Sequence, residues 1–179
     1  QNYAPSQERP PVVSREFRGA WVASVYNIDW PSQTGLSRSA QQSELRAMLD
    51  QMAKINLNAI IFQVRPNGDA LYKSSIEPWS SWLTGTMGRS PGYDPLAFCI
   101  AEAHARGIEV HAWFNPFRAL PNATMPTASN HVCRTHPSHI CNFKTYRWMN
   151  PASSFTRQRA LSVILDVTRR YDIDGIHID

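Results

Sequence analysis

The sequence predicts an α/β fold in which parallel strands alternate with helices, arranged as a (β/α)8 TIM-type barrel. Three observations lead there. Strand-like and helix-like runs alternate along the chain in the order β-α-β-α-β-α-β. Joins from helix to strand are short, whereas joins from strand to helix are long, aromatic and polar. In three strands one alternate set of side chains is apolar, and the other grows polar towards the C-terminal end. Successive strand–helix–strand units imply parallel strands with right-handed crossovers. Long loops at the C-terminal strand ends are what the active face of a barrel is made from. A doubly wound sheet is the alternative; against it, no Gly-rich phosphate loop follows the first strand.

The first strand is expected in FRGAWVASV (17–25), rich in aromatic and β-branched residues. A helix follows, because Leu45, Met48, Leu49 and Met52 recur at the helical period. Ser39 with Gln42 three residues later resembles its capping box. NAIIFQVRP (58–66) is the second strand, ended by a proline, and residues 66–92 are a long connection. Asp94-Pro95 pairs an N-cap acceptor with proline at the first helical position. Leu96, Cys99, Ile100 and Ala103 give that helix its apolar face, and Gly107 sits where a C-terminal cap belongs. IEVHAWFNP (108–116) is the third strand, and 117–152 is a second long connection. Ser153 or Ser154 caps a third helix with Leu161, Ile164 and Leu165 facing in, and DIDGIHID supplies the fourth strand.

Strand side chains alternate faces. Ile60, Phe62 and Val64 oppose Ile61, Gln63 and Arg65. Val110, Ala112 and Phe114 oppose His111, Trp113 and Asn115. Ile176 and Ile178 oppose His177 and Asp179. The contact between a barrel sheet and its helices is dry, so the apolar sets belong there and the polar sets point into the barrel. Buried charge is costly without partners, so Arg65, His111 and Asp179 need one another, a ligand or water. Arg65, Asn115 and Asp179, at the strand ends, are candidates for function. Gln63, His111 and His177, deeper in, fit a satisfied structural network equally well. Trp21 can face either way. RPNGDALY adds Asn67 and Asp69 beyond the second strand, where Pro-Asn-Gly-Asp is also ordinary turn chemistry. Trp30, Trp79, Trp82 and Trp148 fall in loops on one expected face, and exposed indoles suit the apolar C–H faces of sugars.

Composition narrows the class. Hydrophobic residues make up 42% of 179 and charged residues 18%, as in a globular domain. No run of 18 or more apolar residues occurs, so no membrane span is expected. The net charge of +4 is scattered, without the basic stripe and interleaved aromatics of a nucleic-acid binder. A polyanionic envelope glycan fits the same charge. The chain begins at Gln1 with the polar, Pro-rich QNYAPSQERPP, expected to be a flexible leader over residues 1–15, as after removal of a signal peptide. Cys99 reads as a buried small hydrophobe. Cys133 and Cys141 bracket CRTHPSHIC, for which a disulfide, free thiols, or zinc held with His136 and His139 are all open.

The blocks FRGAWVAS, NAIIFQVRPNGDALY, EPWSSWLTG, PGYDPLAFCIAEAHARGIEVHAWFNPFRA and YDIDGIHID, in that order, resemble the bacterial glycosyl hydrolase-like 10 family. The resemblance implies that residues 16–179 are the N-terminal half of a (β/α)8 barrel, with the first four βα units present. It also implies an exported protein, periplasmic or extracellular, acting on cell-envelope glycan, with peptidoglycan as substrate class and no cofactor. Glycosidases use two carboxyl groups, about 5–5.5 Å apart for retention and about 6.5–9.5 Å for inversion. Asp179, ending strand four, is the expected catalytic carboxylate, and its partner is expected on a later strand. Asp69 is the stand-in within this sequence. Arg65 is expected to take a substrate carboxylate, such as a lactyl group, by a bidentate pair. Asn67, Asp69, His111, Trp113, Asn115, Trp148 and His177 are the other expected substrate contacts. Two rivals stand beside this. One is a barrel hydrolase holding a metal on His111, His177 and Asp179. The other is a glycan-binding barrel without catalysis.

Overall fold

The computed structural model describes Glu8 and residues 15–179. The expected leader lies outside the described residues but for Glu8 and Arg15. Four strands, β1 (Gly19–Val22), β2 (Ala59–Arg65), β3 (Glu109–Phe114) and the seventh in the chain, β7 (Gly175–Ile178), form one parallel sheet in that spatial order. Each strand lies beside the next one to come along the chain. A doubly wound sheet would reverse direction at a switch point, whereas uninterrupted order is that of a barrel wall.

The helices between them are α1 (Arg38–Lys54), a short α2 (Ser81–Thr84), α3 (Pro95–His104), a short α4 (Val132–Thr135) and α5 (Ser154–Arg170). Leu45, Leu49 and Met52 of α1, Leu96, Cys99 and Ile100 of α3, and Val163 and Val167 of α5 bury against Ile60, Phe62, Val64, Val110, Ala112 and Phe114. The apolar alternate sets of β2 and β3 therefore meet the helices, as expected. A fully buried Leu or Phe contributes about 1.5–3 kcal/mol, so this layer carries most of the fold. On β7 the equivalent Ile176 and Ile178 are exposed.

Cap chemistry sets the helix starts. Asp94 accepts from Ala97 N and Ser153 from Thr156 N, as read from the sequence. For α1 the cap is Ser37, which accepts from Ala40 N, and not Ser39. Ser39 lies inside the first turn, where its hydroxyl meets that of Ser37 at 3.0 Å. On α5 the buried stripe is Thr156, Ala160, Val163 and Val167, and Leu161 is exposed. Residue 161 follows Ala160 by about 100° around the helix, which carries it off the stripe. Gly107, at φ +69°, turns the chain from α3 into β3.

The 117–152 connection is not an irregular loop. It folds into a three-stranded antiparallel sheet of β4 (Arg118–Leu120), β5 (Ile140–Phe143) and β6 (Tyr146–Met149), ordered β4-β6-β5. A second small core of Met87, Ala119, Leu120, Val132, Cys133 and Met149 fixes it to the β2 loop. Cys133 is buried in that core and Cys141 is exposed on β5, both as free thiols. His136 and His139 stack on Phe155, at 4.2 and 4.6 Å between ring centroids. Among the described residues no cluster of three metal-ligating side chains occurs, so the zinc alternative for this loop finds no site.

The three long strand-to-helix connections are laced together. Gly68 N donates to Ala119 O at 3.2 Å, and Tyr26 Oη donates to Pro121 O at 3.2 Å. Asn27 Nδ2 donates to Trp82 O at 3.0 Å, and the Tyr26 ring packs on Trp82 at 5.2 Å.

Candidate active site

At the C-terminal end of the sheet four strands deliver polar groups to one line. Backbone N–H groups of Ser24 and Val25, just past β1, both donate to Gln63 Oε1 at 2.9 Å. Gln63 Nε2 donates to Asn115 Oδ1 at 2.6 Å. Asn115 Nδ2 donates to Asp179 Oδ2 at 2.8 Å. Gln63 is completely buried and Asn115 nearly so, while Asp179 is exposed. One oxygen of Asp179 is thus anchored, and Oδ1 has no hydrogen bond from the described residues. A carboxylate held by one oxygen at the C-terminal end of the sheet can act as a nucleophile or base towards a group seated there.

One step down the strands lies an aromatic floor. His177 pairs in register with Trp113, and their rings meet edge to face at 5.8 Å. Trp21 donates its indole N–H to His177 Nε2 at 3.2 Å, which fixes that nitrogen as an acceptor. Trp21, ambiguous from sequence, therefore faces the barrel interior, and its ring is 59% exposed there.

Arg65 departs from expectation. The ladder between β2 and β3 slips between Gln63 and Arg65, so Gln63 pairs with Trp113 but Arg65 with Phe114. Phe114 belongs to the helix-facing set, so the bulge re-aims Arg65 away from the interior. Its guanidinium forms a bidentate pair with Glu77, Nε to Oε2 at 2.7 Å and Nη2 to Oε1 at 2.6 Å. Nη1 donates to Asn115 O at 2.5 Å. Arg159 of α5 adds a bond to Glu77 Oε1 at 3.3 Å. Burial disfavours the Arg65 charge, but the attraction and hydrogen bonds of Glu77 outweigh it, and the guanidinium stays above its ordinary value. Three of its five N–H donors are engaged, and at 1% exposure the guanidinium is sealed from a substrate carboxylate. Arg65 is a buried support that holds the Asn115 backbone.

His111 is also elsewhere. It pairs with Gly175 at the start of β7, four residues below Asn115, or about 13 Å along a strand. It bonds Glu109 Oε2 at 3.1 Å and packs on Phe17. It touches neither Asp179 nor His177, so the three ligands of the metal-hydrolase alternative are not gathered. Asn67 and Asp69 are fully buried inside the β2 loop. Asp69 Oδ1 accepts from Asn67 N at 3.0 Å, and with the Asn67 amide turned so that its carbonyl faces the indole, Oδ1 accepts from Trp82 Nε1 at 3.2 Å, so both serve to shape that loop. Burial lifts the Asp69 carboxyl to about 6, against the bond from Asn67 N. Trp148 sits on β6, half-exposed, under the Arg118 guanidinium at 5.7 Å. Trp30 is completely buried, donating to Gln41 O at 3.0 Å, and Trp79 packs on the main core. The expected rim of four indoles reduces to Trp82 and Trp148.

Of the expected contacts, the structure gathers Asn115, Asp179, Trp113 and His177. Sequence reasoning left Gln63 open between a structural network and function, and missed Glu77, Ser24 and Arg159. Glu77 left a signal. Arg65 in a strand requires a carboxylate, and Asp69 and Glu77 are the acidic residues of the connection that follows.

Consecutive parallel strands, helices on one face and a carboxylate at the end of the fourth strand define the wall of a (β/α)8 barrel of the kind that carries glycosidase sites. The chain belongs to the Glycosyl hydrolase-like 10 family, which it matches over residues 16–179. It is 44% identical over 167 residues to Glycosyl hydrolase YngK of Bacillus subtilis (strain 168), covering 92% of this chain and 33% of that protein. It is 33% identical to Glycosyl hydrolase DigH of Escherichia coli (strain K12), covering 98% of this chain and 45% of that protein. The chain thus spans a third to under half of these relatives. In fold it is similar to α-L-fucosidase isoenzyme 2 from Paenibacillus thiaminolyticus, with a TM-score of 0.62 at 15% identity over 92% of this chain and 23% of that one. It is also similar to the α-galactosidase of Thermus thermophilus, with a TM-score of 0.54 at 12% identity over 92% of this chain and 30% of that one.

Proposed function

We propose that this chain forms the N-terminal half of the catalytic barrel of an exported glycoside hydrolase. Its substrate is a glycan of the bacterial envelope, peptidoglycan strands in the first instance, and Asp179 is a catalytic carboxylate. The observation that carries the reading is the placement of Asp179. It directly follows the fourth strand, at the C-terminal end of the sheet, with Oδ2 on Asn115 Nδ2 at 2.8 Å. Family membership and relatives named as glycosyl hydrolases support the reaction class. The net charge of +4 suits a polyanionic polymer. Trp21 and Trp113 beside His177 offer apolar faces to a sugar ring. The second carboxyl group of the reaction is assigned to a later part of the complete protein, since Asp69 is sealed in its loop.

The test is Asp179→Asn in the complete protein, incubated with isolated peptidoglycan and with other envelope glycans while released sugars are followed by mass spectrometry. Cleavage is expected to fall by on the order of 10³-fold or more, as for removal of a group that makes covalent or proton-transfer contact. Undiminished cleavage would exclude Asp179. Sugar binding by the wild type without any product would replace the hydrolase by a glycan-binding barrel.

A further inference from the structure

We infer that Gln63 is a positioning residue that decides which end of the Asn115 amide meets Asp179. The inference rests on the reading of Asp179 as the catalytic carboxylate. The two ends of an amide are nearly identical in shape and opposite in hydrogen-bonding sense. Asn115 by itself can offer Asp179 either a donor or an acceptor. The line of bonds removes that freedom from its far end. Ser24 N and Val25 N are main-chain donors and cannot change sense, and both point at Gln63 Oε1. That end of Gln63 must be the carbonyl, so Nε2 must face Asn115. Asn115 then answers with Oδ1, and only Nδ2 is left for Asp179.

The surroundings hold the line in place without taking part in it. Ser24 Oγ donates to Gln63 O at 3.0 Å. Arg65 O accepts from Asn115 N at 2.9 Å, and Arg65 Nη1 clamps Asn115 O. Phe114 O accepts from Asp179 N at 3.2 Å. The main chain of all three partners is therefore fixed, and the amide orientations are the remaining degrees of freedom. Two turned-out N–H groups at the end of β1 set the polarity of a contact three strands away. They present Asp179 with a donor, which a carboxylate accepts, and never with a carbonyl, which would repel it.

The experiment reverses the line without removing it. In Gln63→Glu one carboxylate oxygen still accepts from Ser24 N and Val25 N. The other is now an acceptor facing Asn115, which turns Nδ2 inwards and Oδ1 towards Asp179. Asn115→Asp faces Asp179 with an acceptor whatever Gln63 does, and so calibrates the shift that a wrong-facing group produces. Gln63→Met cuts the line and leaves Asn115 free to keep Nδ2 on Asp179. In the complete protein, glycan cleavage by Gln63→Glu and by Asn115→Asp is expected to have its acidic limb moved up by about one pH unit. Gln63→Met is expected to keep the wild-type limb, whatever it loses in stability. A second readout needs no turnover. The side-chain amide protons of Asn115, followed by NMR in selectively labelled protein, are expected to shift with the ionisation of Asp179 in the wild type and not in Gln63→Glu.

A wild-type pH profile in Gln63→Glu, or an Asn115 amide indifferent to Asp179 in the wild type, would overturn the inference. If the wild type cleaves no glycan, the hydrolase reading falls, and the amide protons still decide the role of Gln63. If Gln63→Glu does not fold, the response of the wild-type Asn115 amide to Asp179 carries the decision.

Discussion

Replacing Glu77 by Gln tests the buried support beneath the site. The side chains of Arg65 and Glu77 are 1% and 0% exposed, so neither charge has water to fall back on. Glu77→Gln keeps the volume and one acceptor oxygen but turns an amide N–H₂ towards a guanidinium. It leaves Arg65, and in part Arg159 at 3.3 Å, without a counter-charge. Removing one partner of a buried pair costs about 3–5 kcal/mol. For a barrel of about 250 residues, at roughly 2 °C per kcal/mol, that corresponds to a fall in Tm of roughly 6–10 °C. Urea unfolding followed by tryptophan fluorescence measures it directly. The pair is shielded from solvent, so the difference between wild type and variant should persist from 0.1 to 1 M salt, unlike that of a surface pair. The double variant Arg65→Met, Glu77→Met should be more stable than Glu77→Gln alone, because the fully buried charge is then gone and only the part-exposed Arg159 loses its partner. A loss under about 1 kcal/mol, or a double variant no better than the single, would refute the account of Arg65 as a structural charge.

Two further outcomes follow from buried groups and close approaches. Burial holds Asp69 at about 6 when folded, so its protonated form favours the fold below about pH 4, and that contribution is lost as pH rises through 6. The loss amounts to about 3 kcal/mol at most. Burial pulls His131 down to about 4, so its contribution is present above about pH 6.5 and is lost as pH falls through 4. The two slopes oppose each other in wild type, and Asp69→Asn should unmask a steady rise in urea midpoint from pH 4 to 6.5; parallel curves for the two proteins would refute this. Gly175→Ala should cost about 1–3 kcal/mol, because a Cβ there runs into the His111 ring. Stability should return in Gly175→Ala, His111→Ala, and the same urea series checks it.

The layers of the fold were legible because their physics is periodic. The apolar sets of β2 and β3 and the buried faces of α1 and α3 follow from spacing alone. Asn115 and Asp179 were legible for a related reason: both are the last polar members of an alternating strand, and alternation holds up to them. Arg65 was misread because one slipped pairing reverses alternation, and a bulge leaves no mark in composition. His111 was misread because alternation gives the face of a strand and not the height along it. Trp30 was misread because a loop position does not reveal whether an indole N–H finds a carbonyl, here that of Gln41. The role of Gln63 needed the main-chain donors of Ser24 and Val25, which belong to backbone direction and not to residue identity.

The lacing of the three long connections has a bearing on how this surface changes over time. Tyr26, Trp82 and Pro121 come from three different connections, and Tyr26 joins the other two through its ring and its hydroxyl. Ordinary barrel mouths can trade one loop at a time, each tuned in isolation. Here a replacement near Pro121 is transmitted to Tyr26, and from there to the Trp82 ring. Drift in ligand preference should therefore proceed by correlated sets of substitutions spread over distant parts of the chain. Grafting a single connection from a relative should carry over little of that relative's preference unless its two companions travel with it.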